Sequence, residues 1–215
     1  MHRSRSAPAP QDPTPSDAPA RGADPGTRPA GTVAWNRPDR IRLVPIGRVD
    51  AGVLAAIGAG LEERFHVPVE TAPPTPLWRE WYDDGRGQFR GDAILDALIH
   101  RSRRDTWSLG VVDGDLYVPG LNFIFGQATV GGCCAIIGLG RLRADVPAGA
   151  AGTELFLRRA LTEAVHEIGH IVGLEHCPDP RCVMHFSETI EETDHKGPDF
   201  CDRCNTLRHH SKRIG

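Results

Sequence analysis

The chain has 215 residues, of which 40% are hydrophobic, and a formal net charge of −3 at pH 7. This length suits one domain with appendages, and the near-neutral charge gives no electrostatic reason to expect a nucleic-acid or membrane partner. No apolar run approaches the ~20 residues that a membrane span needs, and the N-terminus lacks the apolar segment of a secretory signal. We therefore predict a cytoplasmic monomer with neither kind of partner.

The N-terminal residues 1–38 are rich in Pro, Ala, Asp, Arg and Gly and contain almost no large apolar side chains. Such a segment cannot bury enough surface to offset its ordering entropy. We predict a disordered arm at 1–38, a folded domain at 39–207 and a basic tail at 208–215.

The first predicted elements form a strand–helix–strand unit. Ile41–Ile46 is predicted to be a strand, and Pro45 near its end suggests an edge or a bend. Asp50 is placed to cap a helix over residues 51–65, and residues 67–71 are predicted to form the second strand.

The middle of the chain is predicted to contain an irregular loop, one helix and further strands. Pro119 and Gly120 would interrupt a central strand, so part of the segment 116–128 is expected at a sheet edge. Such an edge can bind an extended peptide as one more strand. Cys133 and Cys134 have no partner at metal spacing and are interpreted as small core residues. The predicted elements are the loop at 73–88, the helix at 92–100, and strands at 108–112 and 135–139.

A predicted third helix, residues 153–172, carries the motif that dominates the sequence. His166 and His170 are four residues apart, so both imidazoles leave the helix on one face. Two neutral imidazoles at this spacing can bind one Zn²⁺ at ~2.0–2.1 Å each. Glu167 lies at the flank of that face, where it can act on a water molecule bound to the metal without being a ligand.

The residues after this helix complete a set of three histidines. Gly173 comes nearly one turn after His170, where a positive φ would end the helix and reverse the chain. His176 would then supply a third nitrogen and leave a fourth position for water, as in a catalytic zinc site. A bare H-E-x-x-H can occur by chance, but here the elongated pattern H-E-x-x-H-x-x-G-x-x-H is followed by Met184. We therefore predict a three-histidine zinc site.

Four cysteines follow at spacings that suit a second metal site. Cys177 and Cys182 flank four residues, and Cys201 and Cys204 form a C-x-x-C pair. In the reducing compartment predicted above, two such pairs favour a closed Cys₄ zinc site. Disulfides and a redox-active C-x-x-C pair are the alternatives.

Together these residues resemble the archaemetzincins, or archaelysins, of the metzincin clan. The resemblance is carried by the elongated histidine motif, by the cysteine that directly follows the third histidine, by C-x₄-C-x-Met and by the later C-x-x-C. It covers roughly residues 41–207. Two features depart from the family: the interval from Met184 to Cys201 is one residue shorter, and Phe186 stands where some metzincins carry a tyrosine. His185 is a candidate for the missing donor.

The resemblance implies an α/β (α+β) fold of the metzincin type, with a twisted mixed sheet, an active-site helix, a Met-turn and a small zinc-stapled C-terminal subdomain. It implies a zinc metallopeptidase that acts on a peptide or protein substrate, with Glu167 as proton acceptor and Met184 in the turn beneath the metal. It also implies two Zn²⁺ ions. The catalytic zinc would be held by His166, His170 and His176, and the structural zinc by Cys177, Cys182, Cys201 and Cys204.

Two other functions compete with the peptidase. A zinc-stapled domain could bind peptides in a cleft that is too occluded for turnover, which a sequence does not reveal. A zinc-ribbon nucleic-acid binder would use the Cys₄ site and the basic residues 208–213. The short tail and the slightly acidic chain make this function the least favoured of the three.

Overall fold

The computed structural model describes residues 38–103 and 105–210, without the side chain of His210. The predicted arm, apart from Pro38, and the predicted tail beyond His210 lie outside these residues. The division of the chain into arm, domain and tail therefore stays a prediction. Among the described residues, none of the helices combines the length and the hydropathy that a membrane span requires.

The first three elements match the predicted strand–helix–strand unit. They are β1 (Arg40–Ile46), α1 (Ala51–Phe65) and β2 (Val69–Thr71). Asp50 caps α1 as expected, because its Oδ1 accepts a hydrogen bond from the backbone N–H of Gly52 at 2.8 Å. Both strands are parallel, as a helical crossover requires.

Of the two alternatives that Pro45 suggested, an edge or a bend, the edge is wrong. β1 pairs in parallel with β2 on one side and with β5 (Thr106–Val112) on the other. Pro45 is tolerated because β2 ends at Thr71, opposite Leu43, and only a loop passes Pro45 on that side. From this loop, the N–H of Thr75 donates to the carbonyl of Pro45 at 2.8 Å.

The predicted irregular loop at 73–88 contains more regular structure than expected. A 3₁₀ turn at Arg79–Trp81 leads into β3 (Tyr82–Asp83), which pairs with β4 (Gln88–Arg90) as a short hairpin. β4 also pairs in parallel with β6 (Leu116–Tyr117). Within the described residues these strands form a small second sheet of order β3-β4-β6. The helix predicted at 92–100 is α2 (Gly91–Ile99).

The larger sheet has the order β2-β1-β5-β8-β7 within the described residues. β8 (Cys134–Gly138) is parallel to β5, whereas β7 (Gly126–Ala128) lies at the sheet edge and is antiparallel to β8. The prediction of an edge strand in the segment 116–128 is therefore confirmed for its last three residues. The resulting sheet is mixed.

Helices cover both faces of this sheet. α1 and α4 (Ala150–Ile171) pack on one face through Ile41, Leu109, Ile137 and other buried residues. α2 packs on the opposite face through Ile94, Leu98 and Ile136. Because both faces are covered, every residue of β5 and β8 is buried, including the polar Thr106 and Ser108.

Among the residues that the structure describes, three helices have no counterpart in the sequence predictions: α3 (Leu139–Leu142), α5 (Ile190–Lys196) and α6 (Asp202–His210). α3 and α5 are short, and α6 is predominantly polar, so none offers a clear apolar stripe. α5 begins with a capping box in which Thr189 and Glu192 satisfy each other's backbone N–H groups.

Candidate active site

The third histidine reaches the other two because α4 ends at the predicted place. α4 stops at Ile171, and Gly173 has φ +93°, a conformation that glycine adopts without the steric cost of a Cβ. The N–H of Leu174 then donates to the carbonyl of Gly169 at 3.0 Å, which closes the turn. The chain reverses, and His176 comes to lie beside the last turn of α4.

His166 and His170 present the same nitrogen to a common centre. Nδ1 of His166 donates to the carbonyl of Val183 at 2.7 Å, and Nδ1 of His170 donates to the carbonyl of Leu174 at 2.8 Å. A carbonyl oxygen can only accept, so both Nδ1 atoms carry the hydrogen and both Nε2 atoms carry a lone pair. These two Nε2 atoms are 3.1 Å apart.

Burial keeps the histidines neutral. It lowers the pKa of His166 well below the usual range, and the Lys196 ammonium and His170 add to the effect. Burial also lowers the pKa of His170; the pKa of His176, an exposed residue, is lowered by partial desolvation and then by His170. A neutral imidazole is the form that binds a metal, so the three side chains are held in the ligating state.

The donor set fits a zinc ion. Two lone pairs that face each other at 3.1 Å repel unless a cation lies between them. Nitrogens bound to a tetrahedral zinc at ~2.0–2.1 Å would be about 3.3–3.4 Å apart, close to this separation. The candidate ligand atoms of His166, His170 and His176 all lie within 4.8 Å of one another.

A cleft opens beside the three histidines. Its volume is about 510 Å³, and Glu167 lies in its wall with only 4% of its surface exposed. Burial, followed by the nearby Glu163 carboxyl, raises the pKa of Glu167 well above its usual range, and Lys196 opposes this shift. The apolar part of the wall includes Leu121, Phe123, Phe125, Val130 and Phe186.

The edge strand β7 forms one side of this cleft. Gly126 lies so close to α4 that a Cβ there would meet Glu167 Oε1 at 2.5 Å. The carbonyl of Phe125 and the N–H of Thr129 bond to β8. By the alternation of an antiparallel ladder, the backbone groups of Gly126 and Ala128 point away from β8 toward the open edge.

Met184 lies beneath the histidines, fully buried, and contacts Gly169 of α4. The turn that carries Met184 is tied to the third histidine, because the N–H of Cys177 donates to the carbonyl of Met184 at 2.9 Å. Phe186 packs on the His176 ring at 5.0 Å between centroids. Nδ1 of His185 contacts the carbonyl of Cys177 at 3.0 Å, and His185 is not among the described residues that line the cleft. Its position gives no support to a role as substitute donor.

The four predicted cysteines also come together. The Sγ atoms of Cys177, Cys182, Cys201 and Cys204 lie within 4.8 Å of one another. Those of Cys177 and Cys201 are 3.8 Å apart. This is too long for a disulfide, with its S–S bond of ~2.05 Å, and matches the ~3.8 Å between sulfurs bound to one zinc at ~2.3 Å.

The structure adds Glu163 and Lys196 to the site and singles out Gly126 within the predicted edge segment 116–128. Gly126, Glu163 and Lys196 all line the cleft. An isolated glycine in a strand indicates a close approach of another group, and Glu163 is three residues before His166 on the same helix. The sequence contains no comparable signal for Lys196, because it comes from a distant segment.

Comparison with known proteins relates this chain to one family of peptidases. Residues 82–209 match the model of peptidase family M54. The archaemetzincin of Pyrococcus furiosus is 40% identical over 184 residues, which cover 82% of this chain and 95% of that protein.

Two solved structures share the fold. The crystal structure of archaemetzincin from Methanopyrus kandleri superposes with a TM-score of 0.71 at 34% identity, covering 83% of this chain and 99% of that chain. A zinc-dependent peptidase from Methanocorpusculum labreanum has a TM-score of 0.70 at 28% identity, covering 78% and 99%. The α/β fold with a twisted mixed sheet is therefore the one expected from the sequence.

Proposed function

The chain belongs to peptidase family M54, the archaemetzincins, and is a zinc metallopeptidase; we propose that it hydrolyses peptide bonds at the cleft beside His166, His170 and His176, with Glu167 as general base. The observation that carries the proposal is the pair of Nε2 lone pairs facing each other at 3.1 Å, next to a buried carboxyl group. Zinc held by these three histidines would supply Lewis-acid activation of a water molecule and of the peptide carbonyl.

The position of Glu167 supports a role in proton transfer. It follows His166 directly on α4, so its side chain lies beside the proposed ligands and in the wall of the cleft. Burial raises its pKa, and the positive charge of the zinc would favour the ionised form that a general base needs. We expect Glu167 to accept a proton from the attacking water and to deliver it to the leaving amine.

The substrate would bind as an extended strand along β7. The outward backbone groups of Gly126 and Ala128 can form a ladder with a peptide, as open sheet edges do. The apolar wall of the cleft would receive apolar side chains next to the cleaved bond. Three of its residues, Leu121, Val130 and Phe186, are more than half exposed.

The four cysteines would hold a second zinc ion with a structural role. All four protein ligands are present, so no position remains for water. Because Cys177 directly follows His176, this ion would also hold the third histidine in place.

The test is Glu167→Gln, with Glu154→Gln as the matched control on an exposed part of the same helix. Both proteins should contain as much zinc as the wild type by mass spectrometry. Only Glu167→Gln should lose cleavage of a peptide library. Cleavage at the wild-type rate by Glu167→Gln would contradict the assignment of the base.

A hydroxamate inhibitor tests the alternative of an occluded, peptide-binding cleft. The cleft volume of about 510 Å³ supports an open site, so we expect the inhibitor to bind the zinc-loaded protein. Failure to bind, together with absent turnover, would favour occlusion. That the chain is monomeric, cytoplasmic and without nucleic-acid partners stays a prediction.

A further inference from the structure

A buried ion pair lies directly behind the histidine cluster. Nζ of Lys196 is 3.2 Å from Oε1 of Glu163, and the two side chains are only 1% and 3% exposed. Glu163 belongs to α4, one turn before Glu167, whereas Lys196 is the last residue of α5. The hydroxyl of Thr193 also donates to Oε1 of Glu163 at 3.0 Å.

The ammonium of Lys196 connects this pair to the segment that orients His166. Nζ donates to the carbonyl of His185 at 3.1 Å. Two residues earlier in the same segment, the carbonyl of Val183 accepts the hydrogen bond from His166 Nδ1. Nζ itself is 3.4 Å from that Nδ1, but both atoms carry hydrogens, so the contact with the ring is steric and electrostatic.

We propose that Lys196, paired with Glu163, is a positioning residue that fixes the segment Val183–His185 against α4 and thereby orients His166 for zinc. The proposal rests on the proposed function, because it assigns His166 to the catalytic zinc. Lys196 acts through the carbonyl of His185.

A second ion pair also docks α5 on α4. Arg159 of α4 already binds Asp194 of α5 through two hydrogen bonds of 2.7 Å. Arg159 also donates to the carbonyl of Ala144 at 2.6 Å, so this contact is well anchored. The pair Arg159–Asp194 therefore joins the same two helices away from the histidines and provides an internal control.

The cost of burial also indicates a role in the site. Removing two charges from water carries a desolvation penalty that their attraction often fails to exceed, and apolar or neutral replacements are frequently as stable. A neutral pair at these positions should thus preserve the fold. It would lose the charged donor that holds the His185 carbonyl.

The experiment compares the double variant Lys196→Met/Glu163→Gln with Asp194→Asn. The double variant removes both charges together and keeps an acceptor for Thr193. Zinc affinity is measured by competition with a chelator. The coordination geometry of the metal is measured from the absorption spectrum of the Co²⁺-substituted protein. Thiolate bands come from the cysteine site, so the remaining bands report on the histidine site.

We expect the double variant to bind the histidine-site metal 10- to 100-fold more weakly, the usual effect of losing an outer partner of a ligand. Its Co²⁺ spectrum should change, while its thermal midpoint stays within a few degrees of the wild type. Asp194→Asn should lower the thermal midpoint and leave the metal affinity within about twofold and the spectrum unchanged.

Two outcomes would overturn the inference. One is a double variant with wild-type affinity and spectrum, and the other is an equal loss of affinity in Asp194→Asn, which would indicate general loosening of α5. The variant His166→Ala distinguishes failure of this inference from failure of the proposed function. If His166→Ala still binds the metal assigned to the histidine site, the three-histidine assignment itself is wrong.

Discussion

Gly126 of the edge strand and Glu167 of the active-site helix are in such close contact that no side chain fits between them. A Cβ at Gly126 would come within 2.5 Å of Glu167 Oε1 and 2.7 Å of its Cγ. The carbonyl of Ile136 lies behind, at 2.7 Å from the same position, so the strand cannot yield in that direction. Glycine at 126 therefore determines where the carboxyl group of Glu167 lies.

We predict that Gly126→Ala lowers kcat/KM by about 10²-fold or more, because a displacement of ~1 Å in a reacting group can cost that much. Zinc content should be unchanged, since Glu167 is not a proposed ligand. Gly58→Ala is the matched control, because its new Cβ would make ordinary contacts of 3.5 and 3.6 Å with Val69 and Leu43. Peptidase kinetics with metal analysis would check this, and equal activity of the two variants would refute it.

The packing of Met184 under α4 gives a second prediction. A Cβ at Gly169 would overlap Sδ of the fully buried Met184, so the methionine side chain would have to shift within the core. Gly169→Ala should lower the free energy of unfolding by about 1–3 kcal/mol, as overpacking does. Urea denaturation of the zinc-loaded protein measures this.

Combining Gly169→Ala with Met184→Ala tests whether the overlap is the cause. The smaller side chain at 184 should relieve the clash, so the double variant should be less destabilised than the sum of the two single variants. Simple additivity would mean that the two residues do not interact.

Loss of metal from the proposed cysteine site should weaken metal binding at the histidine site. Cys201→Ser removes one of the four proposed ligands, and we expect zinc content to fall by one ion per chain and the thermal midpoint to drop. His176 should then be held less firmly, since Cys177 is its neighbour, so the remaining zinc should dissociate more readily in chelator. Cys133→Ser, at a cysteine outside the cluster, should change neither quantity. An unaltered dissociation rate in Cys201→Ser would show that the two sites are independent.

The last prediction concerns Cys134, which is fully buried at the start of β8. Burial raises the pKa of its thiol to about 12, whereas an ordinary thiol titrates near ~8.5. At pH 9 we expect iodoacetamide to leave Cys134 unmodified in the folded protein and to alkylate it in urea, as judged by mass spectrometry of peptides. Alkylation at the same rate in both states would contradict the burial.

The raised pKa has a defined sign for stability. The folded state keeps the Cys134 proton where the unfolded state loses it, so this stabilising contribution is complete below pH ~8.5 and is lost as the pH rises toward 12.

The grouping of the candidate site residues could be predicted from the sequence because its signals are local. The spacing of His166 and His170 on one helix, the φ of +93° at Gly173 and the return of the chain to His176 all depend on residues within about three turns. The cysteine spacings likewise identified a set of side chains that the fold brings together.

Longer-range relationships needed the tertiary structure. Pro45 suggested an edge, but β2 ends before reaching it, and a strand's neighbours are not encoded in its own residues. α5 and α6 lack a clear apolar stripe, so their sequences gave no helical signal. Ion pairs and the cysteine cluster, as well as apolar contacts, hold them in place.

Thus the sequence by itself determined which residues could carry the chemistry, because helical periodicity and ligand spacing are short-range properties. Only the tertiary structure decided how those residues are held. Gly126 approaches Glu167 from a strand about forty residues away, and Lys196 meets Glu163 from a separate helix. Such contacts arise from the packing of whole elements, which the local pattern of residues does not specify.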